Sequence, residues 1–520
     1  MTETTERFGQ SFAEMLDADT HPVRDVLRDP SPLPPGNTKV PTAVYTSQAY
    51  HDLEVEKLWS RVWQWVCLEE EIPNVGDHHV YDVAHLSFLI MRTEDGIKAY
   101  RNACLHRGRR LKDDHGHESK SIRCNFHGWH WNLDGTLREI PAQWDFPAVN
   151  PDDYCLDEAQ VDTWHGFVFI NPDQTNTESL ADYLEGLDEH HALLPFERRA
   201  KVAHVEKIMP VNWKACQEAF MESYHVIATH PTLALRLGDS NTRYDAYKNF
   251  SRAISPSQVL SPHLYDSPVW DQPDDAGAYT KRVHPFSGHL YERLEENRVQ
   301  VTDRTGRTGI FDKDGRWIDG EMKQADNHLC LWVGGPLLDG MEQAGLDANA
   351  PEGADPRAWA AAARREQVRK QFGETLDVEA FSDCEMIDSM YYSVFPNWSP
   401  WGAFNTIMYR FRPHGDNPDE CIFEVMYFVP APDPDKRPPL PKITRLGVDD
   451  DWTLAAELGP TVKIFQQDSL NLPQVQKGLK TQGRGEVVFA SENETKLRHF
   501  YDHYFKQLEL GEVPVDVTGF

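Results

Sequence analysis

Two Cys/His pairs are the residues of this chain that could most readily hold a metal. They are Cys104-Leu-His106 and, after seventeen intervening residues, Cys124-Asn-Phe-His127. Thiolates suit ferric iron, and two neutral imidazoles on a second iron raise the reduction potential above that of an all-cysteine cluster. A glycine follows each histidine within two residues, which predicts tight turns that bring backbone N–H groups to the sulfur atoms. The spacing favours a two-iron cluster, and a zinc site with the same ligands or a chance spacing are the alternatives.

This arrangement resembles the Rieske [2Fe-2S] site. The Rieske proteins of respiratory complexes have an additional disulfide-forming Cys in each loop, where this chain has Arg109 and Phe126. The resemblance is therefore to the oxygenase branch. Nearly four hundred residues follow His127, so we expect a second chemistry downstream.

Composition limits the classes of function. A chain of 520 residues with 40% hydrophobic content has room for two or more domains. The formal charge of −31 disfavours nucleic acid, whose phosphates would be repelled. No apolar stretch is long enough to span a bilayer, and the polar N-terminus has no signal-peptide core. The other Cys residues are scattered without a disulfide-like framework, so we expect a cytoplasmic enzyme.

A second group of chemical residues lies about a hundred positions later. The run from Trp213 to about Ala228 lacks Gly and Pro, which predicts a helix. Glu222 and His225 are three residues apart and would face the same way. His230 is five residues after His225 and would not share that face on a continuous helix. We therefore expect the helix to end just before His230, so that its side chain can turn back toward His225. Two such histidines suit a ferrous site with open positions for O2; two ordinary histidines on a partly buried helix are the alternative.

Asp468 is the predicted third ligand of this iron. A buried carboxylate is costly unless it is paired or binds a metal. The alternatives are a surface Asp on a helix kinked by Pro473, or an acid paired with a nearby Arg. Asp468 belongs to a predicted apolar stripe at helical spacing with Phe465, Leu472, Val475 and Leu479. The rival acids are Asp383, Glu385 and Asp388.

The two groups together resemble the catalytic α subunit of the Rieske non-heme iron oxygenases, the aromatic-ring-hydroxylating family. The resemblance implies a [2Fe-2S] Rieske cluster and a mononuclear Fe(II), and O2-dependent hydroxylation of an aromatic or similar ring compound. Glu222 matches the acid that bridges to a Rieske His of the neighbouring subunit, where many members have Asp. Monooxygenation, including O- or N-demethylation, is the alternative within the family. A non-catalytic electron carrier is the alternative outside it. The implied ligands are Cys104, His106, Cys124 and His127 for the cluster and His225, His230 and Asp468 for the iron.

The resemblance also implies partners. The family receives its electrons from NADH through a separate flavin reductase, with or without a ferredoxin, and this chain has no Gly-rich nucleotide motif of its own. We expect a homotrimer or a multiple of three, with or without a small β subunit. The segment from Arg101 to Arg123 has seven basic residues and three acidic ones. This basic segment would attract an acidic electron donor, unless its members are internal supports of the cluster loops.

The predicted fold class is α+β. We expect an N-terminal arm (1–45), a small antiparallel β Rieske domain (46–173) and a helix-grip catalytic domain (174–520) in which an antiparallel sheet surrounds a long helix. A cap-like insertion is expected at about 231–384. The further predicted helices are Thr46–Trp65, Ser179–Leu194, Pro356–Phe372 and Glu494–Leu508; the predicted strands include Leu86–Arg92, Thr163–Asn171, Val202–Met209, Asn405–Arg412 and Cys421–Phe428, with a hairpin at Gly309–Trp317.

Overall fold

The computed structural model describes residues 10–32, 38–265, 268, 270–433 and 436–510. Its helices are α1 Phe12–Asp17, α2 Asp25–Arg28, α3 Ala43–Thr46, α4 Gln48–Glu54, α5 Leu180–Tyr183, α6 Leu187–His191, α7 Trp213–Glu218, α8 Val226–Thr229, α9 Asn327–Gly334, α10 Pro356–Phe372, α11 Asp383–Ile387, α12 Val462–Thr481 and α13 Thr495–Gln507. The strands of the first half are β1 Lys39–Pro41, β2 Gln64–Leu68, β3 His78–Val83, β4 Leu86–Thr93, β5 Gly96–Arg101, β6 Ile122–Arg123, β7 His130–Trp131, β8 Leu137–Glu139, β9 Glu158–Trp164 and β10 Phe167–Asn171.

The second half contains the remaining strands. They are β11 Arg199–Met209, β12 Arg243–Ala246, β13 Phe250–Ser255, β14 Lys281–Val283, β15 Leu290–Glu295, β16 Arg298–Thr302, β17 Thr308–Phe311, β18 Trp317–Gly320, β19 Ser389–Val394, β20 Trp398–Pro400, β21 Ile407–His414, β22 Asn417–Pro430, β23 Thr444–Leu446 and β24 Glu486–Val488. No helix within the described ranges is both long and apolar enough to cross a membrane.

The N-terminal domain consists of two antiparallel sheets. One has the strand order β2-β10-β9-β5-β4-β3, and the other is β6-β7-β8. Strand β4 is apolar at successive positions because both of its faces are buried. Phe88 and Ile90 face the large core shared with the catalytic domain, whereas Leu89 and Met91 face the core beneath the two Cys/His loops. Side chains alternate between the faces of a strand, so β4 connects the two cores.

The catalytic domain is built on an eight-stranded sheet with the order β12-β13-β19-β20-β21-β22-β11-β23. Every pairing is antiparallel except that of β11 with β23. Phe411 and Phe423 stack at 4.8 Å between ring centroids, and Phe465 of α12 lies 5.9 Å from Phe423. The sheet therefore packs around the long helix, which confirms the α+β class and the helix-grip arrangement.

Several predicted elements are interrupted in the structure. The predicted helix Thr46–Trp65 corresponds to α4, which a π-helical turn, Val55–Trp59, continues; residues 64–68 form β2, which pairs with β10. The predicted strand Thr163–Asn171 is a hairpin, because His165 and Gly166 both adopt positive φ. The predicted helix Ser179–Leu194 is two helices separated by Gly186, which has φ +87°.

The catalytic helix predicted from Trp213 to Ala228 is also broken. Helix α7 ends at Glu218, and α8 begins only at Val226. The cause is tertiary. Between the helices, the backbone N–H of Ser223 donates to the hydroxyl of Tyr244 at 2.9 Å, and the Ser223 hydroxyl bonds those of Ser255 and Tyr391, both at 2.7 Å.

The range 231–384 has two structural parts. Strands β12 and β13 belong to the main sheet, next to β19, so this portion is part of the catalytic core. Strands β14 to β18 form a separate five-stranded antiparallel sheet, covered on one face by α9. A cap-like role for this second part stays a prediction.

The N-terminal segment 10–32 packs on the catalytic domain. The backbone N–H and the hydroxyl of Thr20 donate to Asp383 at 2.7 and 2.8 Å. Arg24 donates to the Glu385 carboxylate at 2.6 Å. These contacts tie residues far apart in the sequence: Thr20 supplies hydrogen bonds to one buried carboxylate, and Arg24 neutralises another.

Candidate metal centres

The two Cys/His loops have matching backbones. The N–H of Gly108 donates to the Cys104 carbonyl at 2.8 Å, and the N–H of Gly128 donates to the Cys124 carbonyl at 3.1 Å. Both glycines have φ near +75°, at +74° and +77°, where a side chain is disfavoured. The predicted tight turns are therefore present in both loops.

The four side chains converge. Cys104 and Cys124 are 4% and 2% exposed, and their sulfur atoms are direct neighbours. The rings of His106 and His127 lie 4.7 Å apart between centroids. The Nδ1 atom of His106 is buried without a hydrogen-bond partner. Two buried thiols beside an unpartnered imidazole nitrogen fit a shared metal cluster.

Backbone N–H groups are directed at the sulfur atoms of both cysteines. Burial raises the pKa of the Cys104 thiol and the Cys124 sulfur raises it further, whereas the N–H groups of His106 and Arg107 lower it. The N–H of Phe126 lies 3.5 Å from the Cys124 sulfur. Amides directed at sulfur are the outer-shell contacts that stabilise bound thiolates.

The second group is carried by α8, its flanking residues and α12. His230 follows the last residue of α8, as predicted, and turns toward α12. The Asp468 carboxylate is 4% exposed, and its Oδ1 atom lies 3.1 Å from Nε2 of His230 and 3.8 Å from Nε2 of His225. One ligand atom from each of the three residues lies within 4.8 Å of the other two. This set of two imidazoles and one carboxylate can hold a ferrous ion on one face and leave other positions open.

Glu222 orients His225. Nδ1 of His225 donates to Oε1 of Glu222 at 2.6 Å, so its Nε2 faces Asp468. Burial alone would lower the pKa of His225, but the adjacent Glu222 carboxylate, with Asp468 beyond it, raises the pKa to about 9. The two carboxylates therefore favour a positive charge at this position.

The rival acids lie elsewhere and have guanidinium partners. Asp383 pairs with Arg365 at 3.0 Å, Glu385 with Arg24 at 2.6 Å and Asp388 with Arg357 at 2.7 Å. The predicted stripe on α12 fails at one position, since Val475 is 43% exposed whereas Phe465, Leu472 and Leu479 are buried.

A further cluster of potential metal ligands contains His204, Glu206 and Glu424. Arg410 and Arg412 each donate to Glu424 at 2.6 Å. Two buried guanidinium groups already neutralise this carboxylate, so we assign the cluster to the packing of the sheet rather than to a metal.

Two further residues lie near the candidate iron site, and no sequence motif indicated them. Gln467 accepts a hydrogen bond from Nδ1 of His230 at 2.8 Å. His328, at the start of α9, is 7% exposed, and its Nδ1 is unpartnered. In the sequence, Gln467 could have been found only because it adjoins Asp468. No sequence pattern around His328 indicates that it lies near this site.

Comparison with known families places the chain. A model of the Rieske [2Fe-2S] domain matches residues 62–150, and a model of the ring hydroxylating alpha subunit (catalytic domain) matches 193–306 and 319–510. The chain belongs to the ring-hydroxylating alpha subunit family. Membership accounts for both groups of residues: the Rieske domain takes a [2Fe-2S] cluster, and the catalytic domain of this family takes a mononuclear iron. It also disfavours a zinc site and a chance spacing.

The relatives of this family member include dioxygenases and monooxygenases. The biphenyl 2,3-dioxygenase alpha subunit of Rhodococcus jostii is 30% identical over 193 residues, which is 36% of this chain and 42% of that protein. The carnitine monooxygenase oxygenase subunit of Escherichia coli is 29% identical over 195 residues, 37% of this chain and 52% of that protein. The match thus spans about half the length of these curated relatives. A solved quaternary ammonium Rieske monooxygenase has the same fold, with a TM-score of 0.55, 16% identity and coverage of 91% of this chain and 96% of that one.

Proposed function

We propose that this chain is an O2-dependent oxygenase that hydroxylates an aromatic or similarly apolar ring compound. The observation that carries the proposal is the convergence of His225, His230 and Asp468 in a chain that also has a Rieske domain. When bound, the cluster supplies electrons singly and the mononuclear iron activates O2. A chain that only carried electrons would have no use for the second group of residues.

The geometry supports the following roles. Cys104, His106, Cys124 and His127 hold the cluster; His225, His230 and Asp468 hold the iron. Glu222 fixes the direction of the His225 ring, and in the proposed assembly His127 of a neighbouring copy would approach Glu222. Monooxygenation is the second candidate outcome, because the relatives with these domains include a carnitine monooxygenase as well as dioxygenases.

Exposed aromatic side chains support the assembly into a head-to-tail trimer of identical copies. Phe126 and Trp144, 56% and 83% exposed, belong to the Rieske domain, and Phe126 adjoins His127. Tyr224, 51% exposed, lies between Glu222 and His225. Large exposed aromatics are typical of interfaces. A heterologous contact between these two ends closes into a ring and places the cluster of one copy beside the iron site of the next.

The remaining proposals concern the electron donors, a second subunit and the cellular compartment. Electrons come from NADH through a separate flavin reductase, with or without a ferredoxin. A small β subunit is an open part of the assembly. We propose the cytoplasm as the compartment, supported by the free state of Cys67, Cys155, Cys216, Cys330, Cys384 and Cys421.

Metal and product analysis test the proposal. Purified protein should contain about three irons and two acid-labile sulfides per chain. Turnover of a panel of ring acids, ethers and polycyclic compounds under 18O2 should give labelled products: two labelled atoms indicate dioxygenation, and one indicates monooxygenation. A protein with only the cluster iron, or turnover that gives neither a labelled ring product nor an aldehyde released by dealkylation, would refute the proposal.

A further inference from the structure

The imidazole of His230 is held at both nitrogen atoms by consecutive residues of α12. Its Nε2 lies 3.1 Å from Oδ1 of Asp468, and its Nδ1 lies 2.8 Å from Oε1 of Gln467. His230 is 2% exposed and Gln467 is fully buried. Water therefore does not compete for these contacts.

The other end of Gln467 determines which of its atoms faces His230. Its Nε2 donates to the backbone carbonyl of His328, at the start of α9, at 3.0 Å. A carbonyl oxygen only accepts hydrogen bonds, so the amide nitrogen must lie at this end. The amide oxygen then faces His230, which must donate from Nδ1. Reversing the amide would bring two acceptors together at α9.

We propose that Gln467 is a positioning residue that fixes His230 in the Nδ1–H tautomer and keeps its Nε2 lone pair available to a metal. This inference rests on the proposed iron site. In the opposite tautomer, Nε2 would carry the proton and donate it to Asp468 across 3.1 Å. That hydrogen bond would occupy two of the three metal ligands at once. By holding the proton on Nδ1, Gln467 prevents the hydrogen bond between His230 and Asp468 and thereby strengthens iron binding.

If the inference is correct, position 467 needs a hydrogen-bond acceptor and not merely a side chain of the size of Gln. Gln467→Met and Gln467→Leu fill the space without an acceptor. Gln467→Glu, as the neutral acid favoured at a fully buried position, retains an oxygen for the Nδ1–H group and donates its proton to the His328 carbonyl. Gln466→Leu is the matched control. Gln466 precedes Gln467 on the same helix, is 5% exposed and donates instead to Asp451 at 2.7 Å.

The measurement is the dissociation constant of Fe(II), determined by titration after removal of the mononuclear iron from otherwise intact protein. Rieske absorption reports folding of each variant, and the electron paramagnetic resonance spectrum of the ferrous nitric oxide adduct reports the ligand set. We expect Gln467→Met and Gln467→Leu to raise the dissociation constant by about 10- to 100-fold. Gln467→Glu should raise it less than either, and Gln466→Leu should leave it unchanged.

Three results would overturn the inference: native affinity with a native spectrum in both apolar variants, equal weakening by Gln467→Glu, or equal weakening by Gln466→Leu. The proposed function fails separately. If His225→Ala retains its non-cluster iron, the iron site itself is misassigned, whatever the Gln467 variants show.

Discussion

The Glu222 carboxylate holds His225 at two points. Oε1 accepts from the ring Nδ1 at 2.6 Å, and Oε2 accepts from the backbone N–H of the same residue at 3.0 Å. Both donors therefore depend on a group that has two acceptor oxygens. An amide has only one.

Glu222→Gln should preserve both metal sites but slow reoxidation of the reduced cluster at least 100-fold, because one of the two contacts becomes donor against donor. Rapid mixing of the reduced protein with substrate and O2 measures this rate. Glu218→Gln, which changes a carboxylate on the preceding helix, is the control and should remain close to native. A native rate in Glu222→Gln would exclude the bridging role.

Asp468→Asn should lose most of its non-cluster iron and retain the Rieske spectrum, since the two centres take their ligands from different segments. His225→Ala should behave alike. Asp388→Asn removes the charge of a rival acid that pairs with Arg357, and it should keep its iron. Iron analysis against acid-labile sulfide compares the three proteins; full iron content in Asp468→Asn would move the third ligand elsewhere.

Trp144→Asp should weaken the proposed trimer, because a charge would replace the most exposed aromatic side chain of the Rieske domain. The association constant should fall at least tenfold, with turnover per chain falling in parallel. Trp317→Asp is the control, because Trp317 is also exposed, at 44%, but lies on the five-stranded sheet. It should leave the association constant unchanged. Sedimentation velocity distinguishes the species, and an unchanged distribution for Trp144→Asp would argue against this interface.

The basic segment contains fewer free charges than its sequence suggests. Arg109 pairs with Asp113 at 3.0 Å and Arg110 with Asp82 at 2.7 Å, while Lys120 and Arg123 are exposed. Lys120→Glu with Arg123→Glu should slow cluster reduction by an acidic donor at low salt and converge on the native rate at high salt. Lys370→Glu, on α10, is the control. Identical salt curves would mean that the donor docks elsewhere.

Glu218 should make stability depend on pH. Burial raises its pKa to about 7, against the hydrogen bonds of Tyr501 and Tyr45. A carboxyl with a raised folded-state pKa destabilises the fold once it ionises, so stability should fall as pH rises from about 4.5 through 7. Glu218→Gln should remove a loss on the order of 2 kcal/mol. Thermal unfolding at pH 5 and pH 8 measures it; an unchanged pH slope would contradict the assignment.

The sequence predicted correctly those helices whose ends are set by neighbouring residues in the chain. Helix α10 has the predicted bounds because Asp355 caps it and Gly373 ends it. The Cys/His loops and the pair His225 and His230 could be proposed from sequence because each lies within a short stretch, whereas Asp468, 238 residues after His230, was predicted from the apolar stripe on α12. The break between α7 and α8 could not be predicted, since the hydroxyls that hold Ser223 come from Tyr244, Ser255 and Tyr391. Gln467 acquires its role through His328, 139 residues away, and no helical pattern conveys such a contact.

The packing of the N-terminal segment has a consequence for biosynthesis. Thr20 bonds an acid that is 363 residues further along the chain. At about 5 to 20 residues per second on the ribosome, Thr20 waits on the order of 20 to 70 s for that partner to be translated. During this interval residues 10–32 lack the surface that covers Phe12, Leu16 and Leu27. Residues 10–32 are therefore made long before the surface on which they pack, and their apolar side chains are accessible to a chaperone throughout that interval.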